Sequence, residues 1–235
     1  MSAAMKPILF STPMVQAILD GRKTMTRRVM KDCTQFDIEE SQLLENTGYN
    51  LTHNYKMSIE SVGIFSTKEK LLNWFVSKYS KYQVGDVLWV RETWCLGVLD
   101  GDATSYKEYW CIRQPKDSKR VFYKADCIEE TGYCDSDKLV KWKPSIFMPK
   151  KHARIFLRVT NVRVERLQDI SEDDAQKEGV EPLFDFTDVC PETGNPCSDF
   201  KTPFQDLWNS INGKGAWEAN PYVFVYTFQR IEKPC

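Results

Sequence analysis

Hydrophobic and polar positions along the chain repeat with two periods, and the switches between them mark out strands and helices. KPILFS, residues 6–11, reads as a short strand. Pro13 then suits the first turn of a helix capped by Ser11 or Thr12, with Met14, Val15, Ile18 and Leu19 on one face and Gly21 as the stop. TMTRRVM, residues 24–30, is extended, with β-branched residues among charged ones. Residues 31–83 are polar, with a few helical apolar turns at Leu71, Leu72, Phe75 and Val76, and read as an insertion packed on the main body. GDVLWVRETW, residues 85–94, predicts a turn and then one strand whose faces start apolar and end charged at Arg91 and Glu92, with Trp94 beside that charged end.

SKRVFYKAD, residues 118–126, predicts another strand, and ARIFLRVTNVRVERL, residues 153–167, is the longest β signal, with a bend expected at Asn161. A short helix follows, capped by Ser171, with Ile170 and Ala175 as a weak staple and Gly179 as its stop. Residues 181–202 have no period and read as an acidic loop. PFQDLWNSI, residues 203–211, puts Phe204, Leu207, Trp208 and Ile211 on one helical face, and YVFVYTFQRI, residues 222–231, closes the chain as a buried strand. Strands dominate this α+β order, which suggests a small β-barrel decorated by short helices, built from residues 5–30 and 84–232, with a large insertion after the second strand.

Composition changes the picture little. The chain has 235 residues, 42% hydrophobic and 28% charged, as an ordinary globular protein has. No apolar run reaches the roughly 20 residues a membrane-spanning helix needs, and the first residues lack the regions of a secretory signal, so a cytoplasmic, membrane-free protein is expected. Eight cysteines in so long a chain read as free thiols. Cys127, Cys134, Cys190 and Cys197 leave a zinc site open, although six residues separate each pair, wider than the usual two to four. No other metal and no cofactor is expected.

Charge is more informative in its distribution than in its total of −1. Residues 21–31 hold five basic groups and no acid, residues 141–168 eight basic groups against Glu165, and residues 169–199 ten acids against Lys177. Basic segments attract phosphate whatever the total. Within the first, Lys23 and Thr26 form a candidate base and hydroxyl nucleophile, with Arg22, Arg27 and Arg28 as neighbouring cations that disfavour a charged ammonium. Residues three apart on a strand face opposite ways, so the pair can share a cleft only if Lys23 still belongs to the turn after Gly21. Glu178 is the candidate general acid: the negative helix end and Asp174 four residues earlier both push its carboxyl upward. KWKPSIFMPKK, residues 141–151, sets Trp142 between lysines as a possible stacking platform, with Ser145 in the same loop and Arg91, Glu92 and Trp94 as further contacts. The two histidines, His53 and His152, have no triad partners, and no phosphate-cradling glycine loop is present.

Four segments in order, KPILFSTPMVQAILDGRKTMTRRV, GDVLWVRETW, RIFLRVTNVRVERLQDISEDDAQKEGV and PFQDLWNSINGKGAWEANPYVFVYTFQRI, together resemble the ASCH domain, in particular the long ASCH proteins of bacteriophages and prophages. The resemblance implies a PUA-like β-barrel with a cleft beside the first helix and RNA or a modified nucleoside as partner. It also implies an alternative: an amidohydrolase acting on N4-acetylcytidine-like nucleosides, with Lys23 as base, Thr26 as nucleophile and Glu178 as proton donor. Ribonuclease activity and a phage–host interaction role stay open beside these. TRRV, residues 26–29, departs from the family's pattern by a second arginine, which adds a cation to the site.

Overall fold

The computed structural model describes residues 5–30, 36–43, 46–55, 58–65, 68–99, 112–113, 117–126, 141–183 and 199–234, with backbone alone at 36–43, 46–55, 58–65, 68, 99 and 112–113. In chain order these form β1 (Lys6–Leu9), α1 (Thr12–Leu19), β2 (Met25–Val29), β3 (Phe36–Leu43), β4 (Asn46–Tyr55), β5 (Ser58–Phe65), α2 (Lys68–Tyr79), β6 (Val87–Arg91), β7 (Trp94–Leu99), β8 (Ile112–Arg113), β9 (Arg120–Tyr123), β10 (Phe156–Arg166), α3 (Glu172–Lys177), α4 (Lys201–Asn212) and β11 (Tyr222–Ile231). The fold is α+β: a five-stranded mixed sheet in the order β1-β6-β10-β11-β2, with two antiparallel three-stranded sheets, β3-β4-β5 and β8-β7-β9. The chain divides into two compact units, one of Met1–Lys23, Asp86–Arg158 and Gln229–Cys235, the other of Thr24–Gly85 and Val159–Phe228.

In the first unit β1 runs parallel to β6, and the start of β10 pairs antiparallel to β6. Val87, Leu88, Trp89 and Val90 are all buried, as a strand covered on both faces requires. α1 buries Met14, Val15, Ala17 and Ile18 and ends at Gly21, whose φ of 79° lies in the left-handed region that glycine enters at no steric cost. The expected single strand over 85–94 is two: β6 stops at Arg91, and Trp94 opens β7, paired with Tyr123 of β9. Trp94 therefore packs with Trp89, Met148, Ala153 and Phe156 in the core instead of standing at a charged, open end.

In the second unit β11 pairs antiparallel with β2. Met25, Val223 and Val225 pack under α3 and α4 against Leu167, Ala175, Phe204 and Trp208. Burying each such large side chain contributes about 1.5–3 kcal/mol. β10 runs through Asn161 without a break, and Ile211, expected on the apolar face of α4, is 55% exposed. The insertion contains α2 where the apolar turns fell, but also the β3-β4-β5 meander, which the sequence pattern did not predict. Cys127, Cys134, Cys190 and Cys197, and residues 184–198 of the expected acidic loop, lie outside the described residues. No helix among the described residues is long and apolar enough to cross a membrane.

Candidate functional site

The strand period decides what each side chain of β2 can do. Met25 and Arg27 point to the face packed against α3 and α4, and Thr26 and Arg28 to the other. On the first face the Arg27 guanidinium, fully enclosed, donates to Glu165 at 2.5 Å through Nη2 and 3.0 Å through Nε, to Asp174 at 2.8 Å and to Glu178 at 3.2 Å. Arg163 ties the same acids together, donating to Glu165 at 2.8 Å and also bonding Asp174. Burial alone would lower the Arg27 pKa, but the charges of Glu178 and Glu165 and the bonds to Glu165 and Asp174 outweigh it and raise it. Arg27 is thus a structural cation, committed to three carboxylates rather than presented to a phosphate.

The opposite face holds a buried hydroxyl among aromatic rings. Thr26 is 1% exposed, and its Oγ1 has no hydrogen-bond partner. Its cross-strand neighbour is Tyr226, and that of Arg28 is Phe224. From the insertion, Tyr82 sets its ring edge-on at 5.1 Å from that of Tyr226, and Phe75 of α2 stacks 6.0 Å from Phe224. The Tyr226 hydroxyl lies 3.1 Å from Ser80 Oγ. Burial pushes the Tyr226 phenol up, offset in part by the Ser80 bond and the Arg28 charge. Arg28 is partly buried; desolvation lowers its pKa, opposed by the charge of Glu178 and by Tyr82 and Tyr226.

Glu178 reaches the Arg27 guanidinium because α3 ends beside β2. Ser171 caps the helix by accepting from the Asp174 N–H at 3.1 Å, Glu178 is the C-cap, and Gly179 turns the chain at φ 85°. The Lys177 carbonyl accepts from the Thr24 N–H at 3.0 Å, fastening the helix end to the approach of β2. The carboxylate is 3% exposed. Asp174, expected to repel it, shares the Arg27 guanidinium with it instead.

Lys23 belongs to the first unit and precedes β2. Its N–H donates to the Ala17 carbonyl at 2.9 Å, its side chain is buried, and its Nζ stands 5.6 Å from the Phe10 ring centre. Arg22 is exposed beside Asp20 at 3.2 Å. Glu92 is buried under a two-point bond from Arg154, at 2.9 and 2.8 Å, while Arg154 also holds Asp126 at 2.6 Å. Burial raises the Glu92 carboxyl, and Arg154 offsets that only in part. Arg91 donates to the carbonyls of Met148, at 3.2 Å, and Ile146, so it braces the loop that holds Ser145. Trp94 is buried with its Nε1 unpartnered, Lys143 Nζ lies 4.9 Å over its ring, and His152 packs at 5.0 Å. Trp142 is half-buried.

Sequence reasoning missed Glu165 and Arg154, whose partners Arg27 and Glu92 lie far away along the chain, Arg163, whose partners are near in sequence, and also Tyr82 and Tyr226. A signal existed only for Tyr226, which alternation along β11 puts on the face opposite Val225. Among the described residues no cluster of three or more histidine, cysteine or acidic side chains is placed to hold a metal ion. Comparison of the chain with protein-family models, curated proteins and solved structures returns no match.

Proposed function

We propose that the chain binds a nucleoside, free or within RNA, at the Thr26 face of its second unit, the partner class and PUA-like barrel that the ASCH resemblance implies. The observation that carries this reading is the Thr26 hydroxyl, buried and without a partner. Such a group costs about 1–3 kcal/mol, so a ligand atom that bonds it recovers a penalty the empty protein carries. Arg28 lies on the same face, where its guanidinium would bond a sugar or phosphate oxygen of the ligand. Titration calorimetry with cytidine, N4-acetylcytidine, uridine, adenosine and guanosine tests the reading. Saturable heat for at least one, weakened about ten-fold in Thr26→Val, is expected; no heat with any of them would overturn it.

Hydrolysis is the second reading, which the resemblance implies and the buried Thr26 hydroxyl supports as a nucleophile. Thr26 Oγ1 would give its proton to a base and attack the acetyl carbonyl, and the C–N bond would break as Glu178 protonates the departing amine. Water would then release acetate from the threonine ester. The Arg27 ion pair ranks this second, because a carboxylate paired with a guanidinium is an acceptor rather than a proton donor. Cytidine release from N4-acetylcytidine, lost in Lys23→Ala, is the result that would promote it.

A further inference from the structure

The loop over residues 141–151 of the first unit is held firmly yet displays two bulky apolar side chains. Met148 at its centre is fully buried, and Arg91 binds the carbonyls on either side of Phe147. Lys143 and Trp94 exchange backbone bonds of 2.8 and 3.2 Å. Short 3-10 turns, Ser145–Phe147 and Lys150–His152, shape the rest, and the Tyr123 hydroxyl donates to the His152 carbonyl at 2.7 Å. On this scaffold Ile146 is 55% and Phe147 69% exposed. Lys143, Lys150 and Lys151 are exposed around them, and the sequence has no acid from residue 138 to residue 164.

We propose that this loop is a docking surface for single-stranded nucleic acid, with Phe147 as the base-stacking ring and Lys143, Lys150 and Lys151 as phosphate contacts. The choice of partner rests on the nucleic-acid reading above, but no residue of the Thr26 site takes part. An exposed ring among cations suits a base stacked between flanking phosphates, because every base has a face to stack and stacking tolerates any sequence. A membrane surface fits less well. An interfacial anchor buries a broad apolar face, whereas this loop exposes two apolar side chains. The sequence pointed to Trp142 in this loop; its ring is half-buried, and the exposed ring is five residues on.

The test is fluorescence anisotropy of a labelled short oligouridylate with the full chain and four surface variants. Phe147→Ala and Phe147→Leu weaken binding about ten-fold, while Phe147→Tyr, which keeps the ring, binds as the parent does. Replacing Lys150 and Lys151 by alanine flattens the plot of log affinity against log salt by about 1.4, at roughly 0.7 per lost phosphate contact. Phe147→Leu binding like the parent, or an unchanged salt slope, would overturn the proposal. So would binding to phosphatidylserine–phosphatidylcholine vesicles with none to the oligonucleotide. Nucleoside titration of the Phe147 variants separates the two sites. Normal nucleoside heat with lost oligonucleotide affinity supports the loop; lost nucleoside binding in Thr26→Val with normal oligonucleotide affinity in the Phe147 variants sinks the loop and spares the Thr26 reading.

Discussion

Thr26→Val should stabilise the protein and impair it at once. Valine matches threonine in shape and replaces Oγ1, which has no partner, with a methyl group. The residue is 1% exposed, so water does not compensate the hydroxyl. Removing the unsatisfied group recovers its desolvation cost, about 1–3 kcal/mol. For a chain of this length each kcal/mol moves Tm by about 2–4 °C. Thermal unfolding of parent and variant, followed by far-ultraviolet circular dichroism without ligand, reads the effect. A rise of a few degrees, together with the weakened nucleoside binding described above, is the signature of a group kept for function at the expense of stability. A loss of about 1 kcal/mol or more in the variant would mean that the hydroxyl is bonded in the native protein, and the argument from an orphaned group would collapse.

Other expectations follow from the same geometry. Arg27→Met removes the buried cation shared by Glu165, Asp174 and Glu178, leaves Arg163 on the first two and Glu178 without it, and should cost about 3–5 kcal/mol, read as a fall in the urea midpoint; a cost below about 1 kcal/mol would show that the acids repack without Arg27. Ser171→Ala removes the bond to the Asp174 N–H and should cost about 1 kcal/mol by the same measurement, with no change expected if the cap is idle. His152 titrates below its usual value because of burial and the charges of Lys151 and Lys143. The unfolded chain therefore binds the proton first, and the stability His152 contributes is complete above the unfolded value of about 6.5 and lost as pH falls toward the folded one. A proton-resonance titration, assigned with His152→Gln, should give a midpoint below that value; a midpoint above it would contradict the placement among lysines.

How far the sequence carried this account depended on how local each signal was. Pro13, Ser171, Gly21 and Gly179 mark helix ends through their own backbones and caps, and α1 and α3 lie where those residues put them. Strand alternation separates Arg27 from Arg28, but which face is enclosed depends on β11 and on helices more than a hundred residues away. For the same reason Asp174 looked like a repulsive neighbour of Glu178, when a guanidinium from β2 binds both. Trp94 was misplaced because Thr93 breaks a run that alternation treats as continuous. The meander β3-β4-β5 is held by cross-strand pairing, from Phe36 opposite His53 to Leu43 opposite Asn46, which no one strand's pattern reveals. Tyr82 and Ser80 came from the segment read as packing, yet they lie against Tyr226, the cross-strand neighbour of Thr26.

A nucleoside bound at this face should bond the Thr26 hydroxyl. The most direct measurement is the methyl spectrum of threonine-labelled protein during titration with the nucleoside that gives the strongest calorimetric signal, with the Thr26 resonance assigned by its absence in Thr26→Val. This resonance is expected to move saturably, with the same Kd as the calorimetry. A Thr26 methyl signal that stays fixed while the nucleoside binds would place the ligand elsewhere and contradict the claim.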